Sequence, residues 1–163
     1  MKLVPLFALP VAAAALGAWL VVGRSATDGD AGAASVGPVD IAAGEALYGD
    51  YCASCHGANL EGQEDWRSPG PDGRLPAPPH DDTGHTWHHP DSVLFAYTKL
   101  GGKAALEAQG ISFDSGMPGF GDQLSDQQIR DILGYIRSTW PDRIQDVQRQ
   151  RTQDDTRAKE GDT

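Results

Sequence analysis

The residues best able to do chemistry stand together in the segment Cys52-Ala53-Ser54-Cys55-His56. Two thiols three positions apart, followed directly by a histidine, form the pattern that attaches a c-type haem. Each thiol can add to one vinyl group of the haem, and the imidazole that follows can bind the iron from the proximal side. The segment therefore predicts one covalently bound haem c, held by Cys52, Cys55 and His56.

Two cysteines in this spacing also occur in zinc sites, in thioredoxin-like redox pairs and in plain disulfides. A structural zinc site normally needs four ligands, usually from two such pairs, whereas this chain has two cysteines in all. A redox pair belongs beside a βαβ pattern, and no parallel-strand pattern follows Cys55. We therefore favour haem over these three alternatives.

An iron bound by one histidine needs a sixth ligand or keeps an open position. The chain has two methionines, and because Met1 is the initiator, Met117 is the remaining candidate thioether. Gly116 and Pro118 flank it and favour a turn over a helix face. A lone methionine usually fills a core, but a rigid turn suits a side chain that must be held at one point. We predict His56 and Met117 as the two iron ligands.

The CASCHG motif, the later loop Met117-Pro118-Gly119-Phe120 and a final amphipathic helix through Tyr135-Ile136-Arg137 resemble a class I bacterial mono-haem cytochrome c. The resemblance covers residues 40–141. It implies an all-α fold, the cytochrome c fold wrapped around one covalently attached haem, with His/Met ligation. It also implies electron transfer rather than enzymatic catalysis.

The resemblance implies two further details. The first and last helices of the domain should cross at Gly44, beside Tyr48. A proline carbonyl, from Pro78 or Pro79, should accept a hydrogen bond from the second ring nitrogen of the proximal histidine, which would fix the orientation of that ring.

Local signals predict where the helices lie. Asp40 caps a first helix that runs up to Cys52, and Pro90 opens another that ends at Gly101. Ser125 and Gln128 form a capping box for the last helix, which Pro141 stops. The expected buried stripes are Val93, Leu94, Tyr97 and Leu100 in the middle helix, and Ile129, Ile132, Leu133, Ile136 and Trp140 in the last one.

The segment 80–89 holds four of the five histidines, together with Trp87. Our preferred interpretation is a polar loop over the haem propionates, with Trp87 and a histidine donating hydrogen bonds. A second metal site is one alternative, because imidazole and carboxylate suit copper or zinc. A histidine that displaces Met117 from the iron is another.

The rest of the chain divides into appendages around residues 40–141. Residues 1–24 contain an uncharged run long enough to span a bilayer, and we favour a membrane anchor over a cleaved signal peptide. Residues 25–39 are expected to form a flexible linker. Residues 142–163 are expected to form a disordered polar tail, with room for a short helical extension through Ile144 and Val147.

The net charge of −10 bounds the possible partners. It argues against nucleic-acid binding, which requires positive charge, and favours redox partners with a basic or neutral docking face. Because the bacterial haem-attachment machinery works outside the inner membrane, the resemblance implies a periplasmic domain. We expect a one-electron carrier. The alternatives are an electron-transfer subunit permanently docked on an oxidoreductase, and a haem enzyme or sensor with a displaceable sixth ligand.

Overall fold

The computed structural model describes residues 37–161, and all regular secondary structure within them is helical. One turn of 3₁₀ helix at Thr86–His88 accompanies six α-helices: α1 Ile41–Tyr51, α2 Ala53–His56, α3 Asp91–Leu100, α4 Gly102–Glu107, α5 Asp126–Ser138 and α6 Asp142–Gly161. The prediction of an all-α fold is confirmed. The predicted anchor or signal segment and nearly all of the linker lie outside the described residues.

None of the helices found in residues 37–161 has both the length and the apolar character that crossing a bilayer requires.

The core of the fold is the crossing of α1 and α5. Asp40 caps α1, and its side chain accepts a hydrogen bond from Ala43 N at 3.0 Å. Gly44 is buried one turn further on, where a Cβ atom would overlap the backbone oxygen of Asp131 in α5. Tyr48 follows on the same face and is 2% exposed. The predicted glycine crossing beside Tyr48 is confirmed, and only a glycine allows the two helix backbones to approach this closely.

Helix α5 begins where its sequence predicts. Ser125 and Gln128 exchange the two hydrogen bonds of a capping box, which satisfies amide groups that the first turn of a helix leaves unpaired. The whole predicted apolar stripe is buried, namely Ile129, Ile132, Leu133, Ile136 and Trp140. This stripe forms most of the hydrophobic core together with Tyr48 and Leu60.

Helix α3 keeps its predicted bounds, but its apolar stripe is not all core. Val93, Leu94 and Tyr97 are partly buried, whereas Leu100 is 52% exposed. Leu100 is the last residue of α3, and it lines an open surface pocket together with Met117. The prediction that Leu100 is a core residue was therefore wrong, because the end of α3 reaches past the core to the methionine loop.

The expectation of a disordered tail after Pro141 also differs from the structure, in which α6 spans 20 residues. The predicted extension through Ile144 is the start of this helix, and Ile144 is buried. Gln148 is completely buried, and its Nε2 donates to Asp91 Oδ1 at 2.7 Å. The exposed part of the helix carries ion pairs one turn apart, such as Lys159 with Asp155. Helix α6 thus docks through Ile144 and through polar contacts, and it gains from its own charge pairs. Hydrophobic periodicity does not detect the polar part of this docking.

Candidate haem site

The two cysteines and the histidine lie on a single turn that continues α1. The carbonyl oxygen of Cys52 accepts from Cys55 N at 3.1 Å and from His56 N at 2.9 Å. Cys52 is buried and Cys55 is exposed. Burial, together with the neighbouring Cys55, raises the pKa of the Cys52 thiol to about 11. The turn ends at Gly57, whose φ of +83° favours glycine.

His56 is 7% exposed and has a defined tautomer. Its Nδ1 lies 2.8 Å from the carbonyl oxygen of Pro78. A carbonyl only accepts, so Nδ1 carries the proton and Nε2 keeps a lone pair for a metal. Burial lowers the pKa of His56, and the hydrogen bond to Pro78 opposes that shift. The resemblance implied that Pro78 or Pro79 accepts this hydrogen bond, and in the structure the acceptor is Pro78.

The loop before Pro78 is anchored beside the cysteine turn. Gly62 N donates to His56 O at 2.7 Å, and Gln63 N donates to Ala77 O at 2.9 Å. Tyr48 donates its hydroxyl proton to Gly57 O at 2.8 Å. These bonds bring the Pro78 carbonyl to His56 and hold the end of the turn against α1.

Met117 lies on a separate loop that is fixed to the end of α3. Its carbonyl oxygen accepts from Gly102 N at 3.1 Å, and Phe120 N donates to Thr98 O at 3.0 Å. Gly101 and Gly119 allow the close approach, since a Cβ atom on Gly101 would lie 2.7 Å from Gly119 N. The side chain of Met117 is only partly buried. The structure thus holds Met117 in a well-anchored turn, and its ligation of iron stays a prediction.

Two contacts connect this methionine loop to the rest of the site. The Phe120 ring packs edge-on against Tyr51, the last residue of α1, with ring centroids 6.1 Å apart. Arg74 bridges the loop that precedes Pro78 to the methionine loop, with Nε 3.0 Å and Nη2 3.3 Å from the two carboxylate oxygens of Asp114. The guanidinium of Arg74 lowers the pKa of the Asp114 carboxyl. Sequence reasoning missed this bridge, because no local pattern links positions so far apart.

The histidines of residues 80–89 have different partners. His80 stacks on His56, His85 stacks on Trp66, and His88 stacks on Trp87. Within residues 37–161, no group of three or more His, Cys, Asp or Glu side chains is arranged to hold a metal ion. The second metal site therefore gains no support from the structure. The contact between His80 and His56 was not predicted.

Trp87 provides a test of whether the residues present fit a haem. Its Nε1 is buried and has no hydrogen-bond partner in the described part of the chain. A buried indole N–H without an acceptor destabilises a fold. A carboxylate of a bound haem would supply the acceptor. Nε2 of His56 and the thioether of Met117 are also ligand types that haem iron takes. The donor set fits a haem, which would supply an iron that cycles between Fe(II) and Fe(III).

In this helical fold, two helices cross at a glycine, and the histidine of a CxxCH turn is hydrogen-bonded to a proline carbonyl. These features define a c-type cytochrome. Comparison with protein families agrees, since the Cytochrome c model matches residues 41–140, and the chain belongs to that family. Members of this family carry covalently bound haem c and transfer electrons. Helix α6 lies beyond the matched region.

The chain is also similar to the gluconate 2-dehydrogenase cytochrome c subunit of Pantoea cypripedii. The two sequences are 29% identical over 109 residues, which cover 62% of this chain and 21% of the relative. The match thus spans about a fifth of the length of that relative. No solved structure matches the chain significantly.

Proposed function

We propose that this protein is a mono-haem c-type cytochrome that carries single electrons on the periplasmic side of the bacterial inner membrane. One haem c would be attached through Cys52 and Cys55, with His56 and Met117 as the axial ligands. The observation that carries the proposal is the geometry of His56. Its ring is bonded to Pro78 through Nδ1, which leaves Nε2 free for iron on the same turn as both thiols.

The protein residues would restrict the bound haem to electron transfer. His56 and Met117 would both hold the iron, and a substrate would then have no position at which to bind it. A thioether ligand favours the reduced state and raises the reduction potential. The hydrogen bond from Nδ1 to Pro78 raises the basicity of His56 as a metal ligand. The chain would thus set the potential and perform no bond chemistry, which is why we propose a carrier and not an enzyme.

The partners follow from charge and from the appendages. A redox protein with a basic or neutral docking face would meet the acidic surface. Residues 1–24 would tether the domain to the inner membrane, or would be removed as a signal peptide to leave a periplasmic protein. Residues 25–39 would act as the linker.

A permanently docked electron-transfer subunit is the second candidate. The name of the similar Pantoea protein, a cytochrome c subunit of a dehydrogenase, favours it. Purification from solubilised membranes distinguishes the two. A stoichiometric oxidoreductase that remains bound at high salt indicates a subunit, whereas a cytochrome that elutes by itself indicates a carrier.

The substitution Met117→Ala tests the proposed ligand set. Near-infrared absorption of the ferric protein should show a sulfur-to-iron band in the wild type, and that band should be lost in the variant. The reduction potential should also fall, because the thioether that favours Fe(II) is gone.

The matched control is Ile111→Ala, which truncates an apolar side chain in the same loop that is 48% exposed. This variant should keep the band and the potential of the wild type. A band that survives in Met117→Ala would refute ligation by Met117.

A further inference from the structure

The side chain of His80 packs on the face of His56, and the proposed function gives this contact no role. The two ring centroids are 4.0 Å apart, and the ring planes differ by 23°. This is a stacked arrangement of two flat side chains. A histidine packed against the proposed iron ligand is unusual at a position that an aliphatic side chain could fill, because burying imidazole carries a desolvation cost.

His80 is held at three points. Its backbone N donates to Leu60 O at 2.7 Å, and its carbonyl oxygen accepts from Trp140 Nε1 at 2.7 Å. Its ring Nδ1 lies 2.7 Å from Thr86 Oγ1. The Thr86 hydroxyl itself reaches toward Pro79 O at 3.5 Å. The 2.7 Å bond between His80 and Thr86 is the shorter of the two, and it forms with either tautomer of His80.

His80 therefore has a fixed backbone and a fixed ring plane. A flat, immobile ring is a suitable surface against which to hold another side chain.

The hydrogen bond to Pro78 does not by itself determine the orientation of His56. The ring turns about its Cβ–Cγ bond, and one hydrogen bond at Nδ1 still allows a range of ring angles, because hydrogen bonds tolerate a range of donor angles. A flat ring packed on the face of His56 narrows that range. The orientation of a metal-bound imidazole is one of the properties through which surrounding groups tune a metal.

We propose that His80 is a positioning residue for the axial histidine: its ring, tied to Thr86, sets the plane of the His56 imidazole and excludes water from the proximal side. The inference rests on the proposed role of His56 as an iron ligand. It predicts that the properties of the iron, and not only the stability of the fold, depend on His80 and on its hydrogen bond to Thr86.

The test compares haem-loaded His80→Ala, His80→Phe and His85→Ala proteins with the wild type. His85 is the matched control, because it lies in the same segment and stacks on Trp66. The first measurement is the paramagnetic NMR pattern of the haem methyl protons in the ferric state, which reports the plane of the axial imidazole. The second is the midpoint potential.

In His80→Ala the order of the methyl shifts should change. Entry of water should favour ferric iron, so the ratio of oxidised to reduced protein at a fixed potential should rise about tenfold, or 59 mV for a one-electron couple. His80→Phe restores a flat ring and should recover most of the wild-type methyl pattern. His85→Ala should match the wild type in both measurements.

Thr86→Val gives a second, independent test if His80→Ala does not accumulate as holoprotein. It keeps the His80 ring but removes its hydrogen bond, and it should shift the methyl pattern in the same sense as His80→Ala by a smaller amount. Methyl patterns and potentials equal to the wild type in either loaded variant, or equal changes in His85→Ala, would overturn the inference. A wild-type protein without covalent haem would instead refute the proposed function, so the two failures are distinguishable.

Discussion

At the scale of single residues, the site depends on polar groups whose partners are fixed by the fold. The His56 ring is bonded to Pro78, and Tyr48 ties the end of the cysteine turn to α1 through Gly57. Each of these bonds is buried or partly buried, where an unsatisfied group costs more than the bond itself contributes. Pro78 and Tyr48 thus support the cysteine turn, although neither is a proposed haem ligand.

Tyr48→Phe tests this support. The variant keeps the buried ring, which is 2% exposed, and loses only the hydroxyl that donates to Gly57 O. The free energy of unfolding should fall by about 1 kcal/mol, the usual net value of one such hydrogen bond. Chemical denaturation of the holoprotein measures it.

Tyr135→Phe is the control for this measurement, since the Tyr135 hydroxyl makes no hydrogen bond to any group in residues 37–161. This control should leave the free energy of unfolding unchanged. Equal stability of Tyr48→Phe and the wild type would show that the bond to Gly57 contributes nothing.

At the scale of helices, one glycine determines how closely α1 approaches α5. A side chain at Gly44 would overlap the backbone of Asp131, and a backbone cannot rotate away as a flexible side chain can. Gly44→Ala should therefore destabilise the fold by roughly 3 kcal/mol.

Gly49→Ala, in the same helix, is the matched control. A Cβ atom at Gly49 has no neighbour within 4 Å, so alanine should stabilise the helix by up to about 1 kcal/mol. Thermal unfolding of the two variants should shift in opposite directions. Similar shifts in both would contradict the close crossing.

Helix α6 makes a different kind of contact, and Gln148 is its centre. Gln148 Nε2 also lies 3.3 Å from His89 O, so this side chain connects α6 both to the histidine segment and to Asp91 at the start of α3. Gln148→Ala should lower the free energy of unfolding by about 2 kcal/mol, because a hydrogen bond to a carboxylate is lost at a fully buried position.

The control for α6 is Gln153→Ala, which alters an exposed glutamine on the same helix. It should change the free energy of unfolding by less than about 0.5 kcal/mol. If both glutamines prove equally dispensable, α6 does not dock through Gln148.

The helices differ in how far the sequence alone could predict them. The caps of α1 and α5 and the crossing at Gly44 depend on neighbouring residues and on one family pattern, and they were predicted. Helix α6 was missed because its buried face is polar at Gln148, so it shows no apolar stripe. The stacking of His80 on His56 and the Arg74–Asp114 bridge were missed because they depend on how long loops fold back.

At the scale of the whole molecule, the negative charge is not evenly spread. Helix α6 carries five acidic and five basic residues, whereas residues 37–140 carry fifteen acidic and six basic ones. The acidic surface therefore belongs to the cytochrome c region itself. A basic partner would therefore be attracted to the cytochrome c region more than to α6, which supports the proposed docking by charge.

The central claim is that the chain carries one covalent haem whose iron has protein ligands on both sides. A spectroscopic redox titration of the purified wild-type holoprotein, repeated under carbon monoxide, tests it most directly. The account predicts a single one-electron transition and a reduced spectrum that carbon monoxide leaves unchanged. A colourless protein, or a reduced spectrum that shifts readily under carbon monoxide, would contradict it.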